Sequence, residues 1–424
     1  MGELGQTLEM PLKRPEPLVQ PTKPPTPEIL RPEVGITITH HLPDYPEYNW
    51  LSLEKDGGFQ KMCEHLKSQG VTAQRFDARW NHITPNTDSN LNTEYVDRLS
   101  RISEIGTASG LDNILVLSSP PEWAIKLAKT DPPAFVKAFE SYVDTVFSSL
   151  SAESIPPKEI QLFNELNMNN FTPEALLPNM ENCMDIVRQK MQTHFEKNLP
   201  LVATLQVSTI GSHGEIPLFK KDSVGFIQKY QTFLEKFDGV KLDYYPGIWH
   251  QPNASLEKYR KNLGFLWKTW KNRNNAELDA IPKTPKDMLR VFTDMELLEQ
   301  TLTAMKPLSD KGVKFGIGEI GVPSMRPFET EAMKSEHQKL QTIGVSLILS
   351  RLPPLIKKFN LTEVGIYSLM DEPTREAGIF NWGLYDKNGN PKHIEEKLDK
   401  LIARINPSAR ERLQEIAAIQ KPLS

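Results

Sequence analysis

From Val34 onward, short runs rich in β-branched and other apolar residues alternate with stretches whose apolar positions recur at helical spacing. The runs are Gly35–Thr39, Thr72–Ala78, Asn113–Leu117, Glu159–Phe163, Leu201–Leu205, Val240–Tyr245, Lys314–Glu319 and Glu363–Leu369. Between the first two, Phe59, Met62, Cys63 and Leu66 form an i, i+3, i+4, i+7 stripe that Gly70 closes. Val96, Leu99, Ile102 and Ile105 repeat that stripe before Gly110. Asp131-Pro132-Pro133 supplies an N-cap and prolines for the first helical positions, ahead of a stripe from Phe135 to Phe147. Further helices are predicted at Glu181–Lys197, Ser223–Phe237, Met288–Met305, Glu329–Ser350 and His393–Ile405.

Eight strands alternating with helices imply βαβ units and a parallel sheet. Eight is the number that closes an α/β TIM barrel, (β/α)8, which is the expected fold. An open doubly wound sheet would bring a Gly-rich phosphate turn after its first strand, and the chain has His40-His41-Leu42-Pro43 there instead. Roughly 70 residues separate the sixth and seventh strands, too many for one crossover. With Leu263, Phe265, Leu266, Trp267 and Trp270 inside it, that stretch reads as a helical insertion. Residues 1–33 carry eight prolines and no apolar period, so they are expected to be a disordered tail. The barrel is expected over 34–405, with a helical or flexible extension over 406–424.

Composition narrows the function. Fifty Lys and Arg against 54 Asp and Glu leave a net charge of −4, which argues against a nucleic-acid binder. No apolar stretch is long enough to cross a membrane. The first 33 residues hold no signal-peptide core, and Gln6 stands where a myristoylation motif needs Ser or Thr, so a cytoplasmic protein is expected. Cys63 and Cys183 lack metal-ligand spacing and read as buried helix residues, and the nine histidines form no His-x-His or His-Glu-x-x-His pair. No cofactor or metal is expected.

In a TIM barrel the chemistry sits at the C-terminal strand ends. The fourth strand ends in Phe163-Asn164-Glu165 and the seventh in Gly318-Glu319-Ile320-Gly321. The second carries Arg75-Phe76-Asp77, the sixth Asp243-Tyr244-Tyr245-Pro246, and the eighth Tyr367-Ser368-Leu369-Met370-Asp371. Two carboxylates at opposed strand ends suit acid/base work on an acetal, one protonating the leaving oxygen while the other attacks carbon. The attacking carboxylate needs a cation and donors to stay ionised, and Arg75 with a tyrosine hydroxyl would serve. Glu319 also sits inside an apolar, glycine-flanked strand, where an unpaired carboxylate is costly.

These strand ends resemble those of the retaining glycoside hydrolases of clan A. The resemblance implies Glu165 as acid/base, Asn164 as a residue bonding the sugar 2-hydroxyl, and Glu319 as nucleophile. Arg75-Phe76 followed by Trp80 and Ile83 resembles the strand-two pattern of family 1 β-glycosidases, whose arginine supports the nucleophile. Tyr245 is then the hydroxyl facing Glu319. Asp243-Tyr244-Tyr245-Pro246 with Trp249-His250 is also similar to family 53 endo-β-galactanases. Two positions depart from the pattern: Tyr367 stands where the clan usually has a tryptophan, and Ser118-Ser119-Pro120-Pro121 stands where many members have a histidine.

Sugars stack on aromatic faces. Trp123, Trp249 and Trp382 follow strands three, six and eight, and each reads equally as a sugar platform or a packing residue. His40, at the first strand end, reads equally as a ligand to a sugar hydroxyl or a structural histidine. The expected activity is retaining hydrolysis of a β-linked carbohydrate. A carbohydrate-binding barrel without turnover is the alternative that Tyr367 and the strand-three end leave open.

Overall fold

The computed structural model describes residues 34–44, 52–54, 56–87, 91–152, 155–169, 171–208, 222–246, 295–322, 324–325, 331–371 and 380–405. The Pro-rich segment, the 247–294 stretch and residues 406–424 lie outside them. Eight parallel strands close into a barrel: β1 Gly35–His40, β2 Ala73–Arg79, β3 Asp112–Ser118, β4 Glu159–Leu162, β5 Leu201–Gln206, β6 Gly239–Tyr244, β7 Lys314–Ile320 and β8 Glu363–Tyr367. β1 pairs with both β2 and β8, so the sheet has no open edge. This is the (β/α)8 barrel the alternation predicts.

A helix follows each strand: α1 Gly58–Ser68, α2 Thr93–Ala108, α3 Pro132–Ala152, α4 Met180–Phe195, α5 Ser223–Lys229, α6 Glu296–Ser309, α7 Glu331–Phe359 and α8 Leu398–Ile405. The stripes read from sequence are their buried faces, Phe59, Met62, Cys63 and Leu66 on α1 among them. Asp131 does cap α3, its Oδ1 accepting from the Ala134 amide at 3.1 Å. A further helix, Glu122–Thr130, precedes it and has no counterpart in the periodic reading. The helix predicted over 223–237 divides at Tyr230 into α5 and a short Gln231–Leu234 turn. α7 runs past Ser350 through Pro353 and Pro354, because Leu352 and Leu355 are buried on either side of that pair. Among the described residues no helix is long and apolar enough to cross a membrane.

Side chains alternate along each strand. Ile36 and Ile38, Leu115 and Leu117, Ile160 and Leu162, and Val240, Leu242 and Tyr244 join the apolar layer beneath the helices. The alternate set fills the barrel, where polar groups bond one another. Lys241 places Nζ 2.6 Å from both Glu159 and Glu363, and Gln161 donates to Glu159 at 2.9 Å. Gln161 in turn accepts from Arg75 Nε at 2.7 Å. A hydrogen-bonded column therefore rises through the interior to the C-terminal rim and fixes Arg75 there.

Candidate active site

Alternation alone would aim Glu319 at the helices, since Ile317 already faces them. A bulge prevents this. Asp243 pairs with Glu319 immediately after Leu242 pairs with Ile317, so Gly318 is passed over. On the other side, Ile317 and Ile320 oppose Val364 and Ile366. The extra residue turns Glu319 inward while Ile320 returns to the apolar layer. Inside the barrel, Arg75 Nη1 donates to Glu319 Oε1 and the Tyr245 hydroxyl donates to Oε2.

Glu165 is held from the other side of the barrel. β4 stops at Leu162, and Phe163 and Glu165 take positive φ values of 58° and 45°. Non-glycine residues in that region are strained, and neighbouring bonds hold them there. The Glu165 amide donates to Thr204 Oγ1 at 2.7 Å, and the Leu166 amide to the Thr204 carbonyl at 2.9 Å. Asn167 exchanges two 2.8 Å bonds with Gln206. Asn164 Oδ1 accepts from Arg75 Nη2 at 2.9 Å and from Thr204 at 3.2 Å. Those two bonds fix which end of the amide is oxygen. Arg75 thus spends its three nitrogens on Gln161, Glu319 and Asn164 and ties the two strand ends together.

Carboxylate oxygens of Glu165, Asp243 and Glu319 lie within 4.8 Å of one another. All three residues are buried. Burial pushes the Glu165 carboxyl well above the usual range, and the charges of Asp243 and Glu319 push it further. Burial also raises Glu319, opposed by Arg75 and the Tyr245 hydroxyl. Asp243 is raised well above its ordinary value by burial and then by Glu319. These three acids are the one carboxylate, histidine and cysteine cluster near enough to share a cation among the described residues. Arg75 already supplies a positive charge to it.

Tyr245, Tyr367 and Trp382 pack into one aromatic wall beside Glu319, with ring centroids 5.0–5.9 Å apart and steep interplanar angles. Gly321 makes room for it, since a Cβ there would strike the Trp382 ring. The Tyr367 hydroxyl bonds His41 Nε2 at 3.1 Å. His41 Nδ1 lies 3.3 Å from Arg79 Nη2, with Asp44 and Asp77 within 4 Å. His41, not His40, is therefore the histidine at the rim.

His40 takes the structural alternative of its two readings, and its place as a candidate sugar ligand is corrected. Its ring stacks on Phe76 at 5.5 Å, meets Phe59 edge-on and bonds Gln74 Oε1 at 3.1 Å, all on the helix side of the sheet. Burial lowers its pKa to about 4. Trp123 packs edge-on against Trp80 and gives its indole N–H to the Thr84 carbonyl at 3.2 Å, the packing alternative of its two readings. Trp249 lies outside the described residues. Asp243 is the site residue that the candidate set omitted. What marks out Glu319, an acid inside an apolar strand, marks out Asp243 equally.

No protein-family model matches the chain. No curated protein matches it in sequence. Solved structures do. A GH5_18 enzyme from Bifidobacterium longum subsp. longum, in complex with Manβ1-4GlcNAc, superposes with a TM-score of 0.51 at 16% identity, covering 88% of this chain and 78% of that one. The β-glycosidase BGL167 gives 0.53 at 14% identity, covering 88% and 97%. An exo-β-1,4-mannosidase from an Opitutaceae bacterium gives 0.53 at 12% identity, covering 90% and 60%. The fold shared with them is the closed (β/α)8 barrel. At these identities the likeness is one of fold, and chemistry must be argued from the side chains.

Proposed function

We propose that the protein is a retaining β-glycosidase working by double displacement. The observation that carries this reading is the approach of Glu165 and Glu319, whose oxygens come within 4.8 Å across the barrel mouth. Retaining enzymes hold their carboxyls about 5–5.5 Å apart, whereas inverting enzymes leave about 6.5–9.5 Å for a water. Glu319 accepts from Arg75 and Tyr245, which favour its ionised form, while Glu165 has no such donors among the described residues and its environment favours the proton.

In the first step Glu319 attacks the anomeric carbon and the glycosidic C–O bond breaks. Glu165 gives its proton to the departing oxygen. The product is a glycosyl ester on Glu319, with Glu165 ionised opposite Arg75. In the second step Glu165 takes a proton from water, the oxygen attacks the same carbon, and Glu319 leaves as carboxylate. The Asn164 amide nitrogen, on the far side of the oxygen that Arg75 and Thr204 hold, is the donor for the sugar 2-hydroxyl.

The exo-β-1,4-mannosidase and the bound Manβ1-4GlcNAc among the structural neighbours make β-mannosides the first substrates to try. The test is hydrolysis of aryl β-mannosides, β-glucosides and β-galactosides, with the first-formed anomer read by NMR. A β-product supports the reading and an α-product overturns it. Tyr367, in place of the usual tryptophan, favours the alternative of a binding barrel, which would show affinity without product.

A further inference from the structure

Asp243 has no part in the steps above, yet it is the most deeply buried acid of the site, 0% exposed against 3% for Glu165 and 4% for Glu319. Neither of its carboxyl oxygens has a hydrogen-bond partner among the described residues. One of them lies within 4.8 Å of oxygens on both Glu165 and Glu319. A single water can bridge that span. The backbone makes room for the group: Gly318, the bulge residue of β7, carries no side chain, and a Cβ there would collide with Asp243 Oδ1.

The groups facing Asp243 decide its charge. They are Arg75 and Asp77 on β2, Glu165 beyond β4, Lys241 on β6, Tyr245 after β6 and Glu319 on β7. Lys241 is already held between Glu159 and Glu363. Arg75 is paired with Glu319. One guanidinium thus faces four acids, Asp77, Glu165, Asp243 and Glu319, and a further unpaired charge in this interior is costly.

We propose that Asp243 is a positioning residue of the hydrolysis proposed above: it keeps its proton through the cycle and offers Glu319 a neutral hydrogen-bond donor through one bridging water. This inference rests on that glycosidase reading. An ionised Asp243 would drive a proton onto Glu319 and disarm the nucleophile, whereas a neutral one donates to the carboxylate and holds it ionised. Keeping a carboxylic acid neutral so that it can donate is a known use of a buried acid.

The test uses the full chain with Asp243→Asn, which keeps shape and a neutral N–H donor, and Asp243→Leu, which keeps bulk without a donor. The pH profile of kcat/KM is read on an aryl β-glycoside. With Asn the acid-side limb should stay within about 0.3 pH unit, and with Leu it should rise by about one unit as Glu319 loses a donor. A fall of about one unit with Asn would overturn the proposal, because it marks an ionised Asp243 whose like charge had been opposing Glu319. An unmoved limb in both variants would also overturn it, leaving Asp243 as filler. Infrared difference spectra of wild type minus Asp243→Asn at neutral pH add a readout that needs neither turnover nor the Leu variant. The carbonyl stretch of a protonated acid is expected, and carboxylate bands would sink the idea. Absent hydrolysis with the protonated band present would fail the glycosidase reading and leave the neutral acid standing.

Discussion

Gly365 on β8 lies so close to Gly318 on β7 that a Cβ at Gly365 would run into the Gly318 carbonyl. The contact is backbone against backbone, so no rotamer can relieve it. Gly318 is also the bulge residue that turns Glu319 inward, so the two glycines together set the aim of a carboxylate on neither of them. Gly365→Ala should therefore destabilise the barrel by about 1–3 kcal/mol, the usual range for forcing volume into a packed site. It should also lower kcat more than it raises KM, because the displaced group reacts and does not merely bind. Thermal unfolding and steady-state kinetics on one preparation check both halves.

Removing either catalytic candidate should leave the fold intact and split the chemistry. Glu319→Ala removes the attacking atom, so turnover should vanish on every substrate while the circular dichroism spectrum stays unchanged. Glu165→Ala should cost about 10²–10⁴-fold on alkyl glycosides, whose leaving groups need a proton. On aryl glycosides with acidic phenols the first step should survive. Deglycosylation then limits turnover, and added azide should speed it by attacking without a base. Equal loss on both substrate types would exclude the acid role.

How much of this was legible beforehand depends on which residues obey the simple period. The eight strands and most helices were, because Ile36, Ile38 and their counterparts recur at spacing two and Phe59, Met62, Cys63 and Leu66 at spacing three to four. The same period could have separated the two histidines. His40 shares parity with Ile36 and Ile38, which face the helices, and His41 follows the opposite parity of Thr37 and Thr39. Asp243 shares parity with Lys241 inside the barrel and was equally readable. The inward turn of Glu319 was not. It depends on a bulge that only the pairing of β7 with both neighbours reveals. Trp123 was undecided for a related reason, since its indole is taken by a backbone carbonyl 39 residues away in sequence.

His40 carries a stability prediction that distinguishes its structural place from a role at the site. Its pKa falls from 6.5 to about 4 because burial penalises the cation, with the Gln74 bond opposing. The unfolded chain therefore binds a proton below pH 6.5 that the folded chain refuses until about pH 4. Stability from this group is complete above pH 6.5 and is lost as the pH falls between those two values. The gap corresponds to roughly 3 kcal/mol. In His40→Gln, urea unfolding between pH 7 and pH 4 should lose less stability than in wild type, and kcat/KM should stay within about threefold. A tenfold loss of kcat/KM with unchanged stability would return His40 to the site.

The pH dependence of activity follows from opposing the two carboxyls. Activity needs Glu319 ionised, so it rises with pH through the Glu319 value. It also needs Glu165 protonated, so it falls with pH through the Glu165 value. Burial first, then the Glu319 charge facing it, push Glu165 well up, which places the falling limb well above the ordinary carboxylate range. At Glu319 the Tyr245 hydroxyl works against burial by donating to the ionised form. Tyr245→Phe deletes that donor and no charge. The rising limb of kcat/KM should then move up by about 0.5–1 pH unit while the falling limb stays in place. A variant that moved both limbs together would mean that Tyr245 acts through the shape of the aromatic wall it shares with Tyr367 and Trp382, not through its bond to Glu319.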